Sequence, residues 1–278
     1  MSMDLLNALK NRKGITLIEL LIALVISALL IASLYRTFIG QQKTYIVQEQ
    51  VVEMQQNVRA AIIKMISEIR MAGFGNLDLA AGVNGITNVI TPSANSITIL
   101  GALRQISTLE AGAQAGQNLI TLASATDAFD GATYHRYISI GGLESNIVSG
   151  RSGNELTLQN PVTMNYPANT PIFKIHAITY GIREAAGVPV LFRDLYSNTA
   201  GSQRVTVAEN IENLQFEYFD ANGALLSLPI ANPELIRMVR VTVTARTIRS
   251  DTDFKVGDGF RRRTIASNIY VRNMEIIQ

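Results

Sequence analysis

Glu19 lies in an apolar run that opens at Ile15, and three cations, Lys10, Arg12 and Lys13, stand just before it. A carboxylate inside a hydrocarbon-length segment costs ~3 kcal/mol or more at the centre of a bilayer, so its default reading is functional and a partner has to be named for it. Elsewhere the residue types that do chemistry are sparse and scattered. The two histidines, His135 and His176, fall in separate strand-like stretches among apolar neighbours, the pattern of satisfied strand histidines and not of a base or metal ligand. Asp220-Ala221-Asn222-Gly223 opens like a calcium loop, yet the position that an EF-hand reserves for its bidentate glutamate is Ala231, so the stretch is read as a turn. Asp127, Asp130 and the pair Asp251 and Asp253 stand apart from other acids. Arg261-Arg262-Arg263 could meet phosphates or a neighbouring protein, but in a strand at most two of them share a face, and a solvated edge accounts for them. Seven tyrosines, Tyr134, Tyr137, Tyr166, Tyr180, Tyr196, Tyr218 and Tyr270, are spread over the strand-rich region, where packing explains them. No G-x-S-x-G, H-E-x-x-H, P-loop or complete dinucleotide fingerprint occurs, so no enzyme, cofactor or metal site is read from the chain.

The elements that must position Glu19 begin with the run itself. Between Ile15 and Leu34 the only polar residues are Thr16, Glu19, Ser27 and Ser33, a stretch of the length a helix needs to cross ~30 Å of hydrocarbon. The preceding cations hold the N-terminus in the cytoplasm and put the chain beyond Arg36 on the far side. A cleavable secretory signal would be shorter and free of acid. The first proline is Pro92, and Gly40 is the only glycine between Ile15 and Ala72, so one helix running to about Ala72 is predicted, roughly 87 Å long at 1.5 Å per residue. Any bend in it should centre on Gly40. In its second half Val47, Val51, Met54, Val58, Ala61, Met65 and Ile69 recur at spacings of three and four, flanked by Ile62 and Ile66. That apolar stripe must pack on something, and a sheet is favoured over a coiled coil. Gly73 and Gly75 should end the helix.

Beyond Asn76 the period changes from helical to alternating. Strands are predicted at 96–100, 118–122, 134–140, 155–158, 172–182, 189–194, 214–219, 236–248 and 264–272, with a strand-turn-strand unit around Asp220–Gly223. In the stretch around Val239, Val241, Val243 and Ala245 these apolar residues alternate with Arg240, Thr242, Thr244 and Arg246, as in a half-buried antiparallel strand. Composition agrees with a water-soluble head: of 24 cationic side chains three precede Ile15, and of 22 anionic ones Asp4 does, which leaves 21 of each. Net charge therefore argues against general nucleic-acid binding. With no cysteine there is no disulfide, thiolate site or thiol nucleophile.

Gly14-Ile15-Thr16-Leu17-Ile18-Glu19 resembles the class III prepilin signal of type IV pilins and of type II secretion pseudopilins. The resemblance implies that a membrane-embedded prepilin peptidase cuts between Gly14 and Ile15 on the cytoplasmic side and methylates the new amine of Ile15. Glu19 is then the fifth mature residue, as in the family. Ile15 stands where the family usually has phenylalanine. Glu68-Ile69-Arg70-Met71-Ala72-Gly73-Phe74-Gly75 resembles the helix-to-head junction of PilW-type minor pilins, and the closing strand ending in Arg272-Asn273 resembles the end of the same proteins.

From the resemblance follows an α+β, pilin-like fold: a long N-terminal helix, membrane-spanning in its first half, packed on a C-terminal antiparallel β-rich head. The expected divisions are a leader, 1–14; a transmembrane and filament-core segment, 15–40; an amphipathic helix half, 41–75; and the head, 76–278. In filaments of this family the fifth-position glutamate is thought to pair with the N-terminal amine of a neighbour, so the implied partner of Glu19 is Ile15 of another chain. The implied function is that of a minor pilin that initiates or caps a type IV pilus of the kind used in twitching motility. Its implied partners are the peptidase, other pilins and minor pilins, and the inner membrane before assembly. It would sit there with its head in the periplasm, then in the fimbria at the cell surface. A J-like pseudopilin of type II secretion and a membrane-tethered adhesin or polymer-binding protein remain open as alternatives.

Overall fold

A computed structural model describes residues 14–77, 79, 82–124, 136–251 and 253–274. Lys10, Arg12, Lys13, Asp127, Asp130, Tyr134 and His135 lie outside the described residues. One helix, α1, runs Leu17–Arg70, 54 residues without a break and helical through Gly40. The chain divides into two compact units at Val51/Val52, inside this helix.

The first unit contributes the start of α1, whose apolar side chains from Ile15 to Ile39 are exposed. This helix is long and apolar enough to cross a membrane.

In the second unit the stripe turns inward. Met54, Val58, Ala61, Ile62, Met65 and Ile69 are buried, while Val51 and Ile66 are half-buried. These residues lie at the three- and four-residue spacing that places side chains on one helix face. Gly73 stops the helix at φ +83° and donates its N–H to the carbonyl of Leu100 at 2.9 Å. Gly75, at φ +112°, is pressed so close to the sheet that a Cβ there would lie 2.6 Å from that of Ala102. Phe74 between them meets the ring of Phe173 edge-on at 5.3 Å. The end of the chain returns to this junction: the N–H of Arg272 donates to the carbonyl of Arg70 and the Asn273 amide to that of Ala72, both at 3.4 Å. The helix-to-head junction and the Arg272-Asn273 segment are thus neighbours in space.

The strands are β1 Ile90–Pro92, β2 Ile97–Thr108, β3 Leu119–Thr121, β4 Tyr137–Ile140, β5 Glu144–Ser152, β6 Glu155–Leu158, β7 Pro171–Ala185, β8 Val188–Asp194, β9 Arg204–Glu209, β10 Ile211–Phe219, β11 Leu225–Leu226, β12 Met238–Arg246 and β13 Arg262–Tyr270. They make two antiparallel sheets. The larger has the order β1-β2-β7-β4-β5-β6-β3, with β8 on β7 and β9 on β8; the smaller has the order β11-β10-β12-β13. Strand β7 is the spine. One edge pairs with β2 from Ile97↔Tyr180 to Thr108↔Pro171, and the other pairs first with β4 and then with β8. Leu109, Leu122, Ile138, Ile140, Leu156 and Ile172, from the middle of the chain, where the sequence suggests only β-structure, form a hydrophobic core.

Strand β5 is absent from the expected set because its inward face is polar. Glu144 and Asn146 are buried beside Val148. Glu144 accepts hydrogen bonds from the Thr163 N–H at 3.0 Å, the Thr163 hydroxyl at 2.9 Å and the Tyr166 hydroxyl at 3.0 Å, while the Asn146 amide donates to the carbonyl of Asn160 at 2.8 Å. A strand that buries satisfied polar groups carries no apolar alternation to read.

A second buried carboxylate joins helix to sheet. Glu68 lies on the stripe of α1 and accepts from the Tyr180 hydroxyl at 2.6 Å, from Arg193 Nε and Nη2 at 2.9 and 2.7 Å, and pairs with Lys64 at 2.8 Å. Burial pushes its pKa up, but the bonds from Arg193, Lys64 and Tyr180 outweigh that and leave it below the usual glutamate range.

Candidate functional site

The residues Gly14 to Glu19 form the start of α1. Leu17 is the first helical residue, so Thr16 occupies the N-cap and Glu19 the third helical position. The Thr16 N–H and the Thr16 hydroxyl both donate to Glu19 Oε2 at 2.9 Å, and the Glu19 N–H donates to Thr16 Oγ1 at 3.3 Å. The Thr16 carbonyl accepts the first helical bond, from Leu20 N–H at 3.1 Å. This is a reciprocal capping box, in which two amide donors that a helix leaves unpaired at its start are satisfied by the two side chains. The carboxylate also sits in the first turn, where it faces the positive end of the helix dipole. The acid has an intrachain partner that the sequence reading did not assign, although Thr-x-x-Glu spacing is its signature. Gly14 and Ile15 precede the helix in non-helical backbone, and Ile15 is 78% exposed.

The other candidates are dispersed. His176, in β7, is buried, and its Nδ1 has no hydrogen-bond partner, so it is not the satisfied histidine that the sequence suggested. Burial and the neighbouring Lys174, Arg193 and Arg104 push its pKa down to about 3, which keeps the imidazole neutral. Asp220 is a turn residue: its Oδ1 accepts from the N–H groups of Asn222 and Ala224 at 2.9 and 2.8 Å. The arginine run splits. Arg262 is bound by Glu212 and Asp258, each at 2.6 Å, Arg261 by Asp251 at 2.9 Å, and Arg263 is exposed. Tyr180 and Tyr218 are fully buried, whereas Tyr270 is 66% exposed. Among the described residues no group of three His, Cys, Asp or Glu side chains is arranged to hold a metal ion.

What distinguishes the helix start is therefore a capped, exposed N-terminus on an apolar helix. Residues 9–35 match the family model described as the prokaryotic N-terminal methylation motif. The chain carries an N-terminal methylation signal at the start of a pilin-like fold. The match covers the glycine, the residue after it, Glu19 and the apolar run together. No curated protein and no solved structure matches the chain. The pilin-like architecture agrees with the motif: a long apolar N-terminal helix whose distal half packs on antiparallel sheets.

Proposed function

We propose that the chain is a minor pilin: a structural subunit, cut between Gly14 and Ile15 by a prepilin peptidase and methylated at Ile15, that helps to initiate or cap a type IV pilus. The observation that carries this reading is the methylation motif at residues 9–35 running directly into the unbroken helix Leu17–Arg70. A substrate of such a peptidase keeps its apolar segment after cleavage, and here that segment is continuous with the helix that enters the head. Before assembly the helix anchors the subunit in the inner membrane with the head in the periplasm; afterwards it joins the helices of other pilins. The head is large for an abundant shaft subunit, and its junction of Arg70 to Gly75 with Arg272-Asn273 supports a PilW-type minor role. Glu19 takes part in assembly by meeting the amine of Ile15 on a neighbouring subunit.

Mass spectrometry of sheared surface filaments tests the proposal, with pilus counts in a deletion strain. The expected result is a mature chain beginning at Ile15, present in the filaments at low copy, and fewer pili without it. A chain confined to the inner membrane, or one whose mature form begins near Leu34, overturns the reading.

A further inference from the structure

The two sheets end in strands of very different length. In the larger sheet β1 and β3 have three residues each and β9 has six; in the smaller sheet β11 has two and β13 has nine. Native proteins keep exposed edges short, or break them with proline or a bulge, because unpaired N–H and C=O groups recruit other strands. Strand β13 has neither device. It contains no proline, and its register with β12 is unbroken from Arg246↔Arg262 to Met238↔Tyr270. Nothing pairs with its other side among the described residues.

The direction of its backbone groups is set by the bonds at its two ends. Thr247 N–H donates to the Arg261 carbonyl and Val271 N–H to the Arg237 carbonyl, both at 2.9 Å. Odd-numbered residues of this segment therefore face β12, and by the alternation of an antiparallel ladder the even-numbered ones, Arg262, Thr264, Ala266, Asn268 and Tyr270, turn their N–H and C=O groups outward. All five are exposed.

We propose that β13 is a strand-addition interface and that its occupant is β13 of a second copy of this chain, paired antiparallel about Ala266. The edge is complementary to itself in that register. Ala266 meets Ala266, Thr264 meets Asn268 and Arg262 meets Tyr270, so every outward N–H faces an outward carbonyl and no like charges are opposed. A shift by one residue sets outward groups against inward ones, and a shift by two leaves fewer pairs. Arg262 is already neutralised by Glu212 and Asp258, which removes the charge that would otherwise guard this end of the edge. Its guanidinium is then available as a stacking surface for the exposed Tyr270 of the other copy. Any assembly that brings two heads together can use this edge, whether or not the chain enters a pilus.

The chain has no cysteine, so single substitutions report the register directly. Full-length Ala266→Cys in detergent micelles, under mild oxidation, should form a disulfide-linked dimer, because the two axial Cα atoms would lie about 5.5 Å apart, within disulfide reach. Tyr270→Cys alone should form no disulfide-linked dimer, its copy being about 27 Å away along the strand at ~3.4 Å per residue. Thr264→Cys mixed with Asn268→Cys should give the heterodimer in excess of either homodimer. Ala266→Pro removes an outward N–H without deleting a bond to β12, a change tolerated at a sheet edge, and should abolish the non-covalent dimer in light scattering. Equal cross-linking at 266 and 270, monomers throughout, or an Ala266→Cys adduct with a different membrane protein would each overturn the proposal.

Discussion

Replacing Glu68 with alanine should be among the most damaging single changes in the head. The substitution strands the buried hydroxyl of Tyr180 and the guanidinium of Arg193. Breaking a buried ion pair from one side costs about 3–5 kcal/mol, since the remaining charge stays desolvated. Arg193 retains 16% of its side-chain exposure and Lys64 retains 49%, so water recovers part of the loss and the lower end, about 3 kcal/mol, applies. At ~2–4 °C per kcal/mol for a domain of this size, the melting temperature should fall by roughly 6–12 °C. Circular dichroism melts of the full chain in detergent measure this. Glu68 has a depressed folded-state pKa, so its contribution is present above the unfolded value of about 4.3 and is lost as pH falls from there through the folded value. The gap between wild type and Glu68→Ala should accordingly close in acid. Adding Arg193→Met to Glu68→Leu removes the orphaned charge and should return part of the stability. A shift under ~2 °C at neutral pH, or a gap that persists unchanged in acid, would refute the reasoning.

Other positions give independent checks. A bulky residue at Gly14 should leave the uncut precursor in the membrane, as seen by N-terminal sequencing, whereas normal processing would argue against cleavage at this bond. Val58→Asp or Ile62→Asp places an unpaired charge in the buried face of α1 and should lower the melting temperature severely; an unchanged melt would show that this face does not support the fold. Gly75→Ala combines a φ of +112° with a Cβ 2.6 Å from that of Ala102 and should destabilise by more than ~1 kcal/mol in a denaturant titration.

The helix was legible because its signal is local. Six of the stripe residues are buried at the spacing their sequence shows, and Gly73 ends the helix with the positive φ that glycine tolerates. The alternating strand β12 was legible for the same reason, with Val239, Val241, Val243 and Ala245 all buried. Glu68 was not, because a lone carboxylate on an apolar stripe is readable only through its partners, and Tyr180 and Arg193 are 112 and 125 residues away. The same holds for β5, whose buried Glu144 is satisfied by Thr163 and Tyr166 from beyond the next strand. The sheet order is likewise set by pairings between distant segments, β7 with β2 above all. At the helix start the converse applies: Thr16 and Glu19 are three residues apart, and their pairing is a local pattern.

That pairing changes how Glu19 has to be tested. Removing the acid as Glu19→Ala deletes two things together, the cap on α1 and the negative charge proposed to meet a neighbouring amine. The geometry separates them. A capping box accepts glutamine in place of glutamate, so Glu19→Gln retains the bond from the Thr16 N–H while discarding the charge. Thr16→Ala does the reverse: it keeps the charge and loses the hydroxyl that both donates to Glu19 Oε2 and accepts its N–H, a change of about 1 kcal/mol in helix capping. If charge pairing drives assembly, Glu19→Gln should be cleaved and anchored normally yet be depleted from sheared filaments relative to the inner membrane. Thr16→Ala should be incorporated far better than Glu19→Gln once cleaved, because only a frayed first turn separates it from wild type. Filament-to-membrane ratios of the cleaved forms decide the matter. Wild-type incorporation of Glu19→Gln would sink the pairing mechanism and leave the capping box as the reason this helix carries an acid.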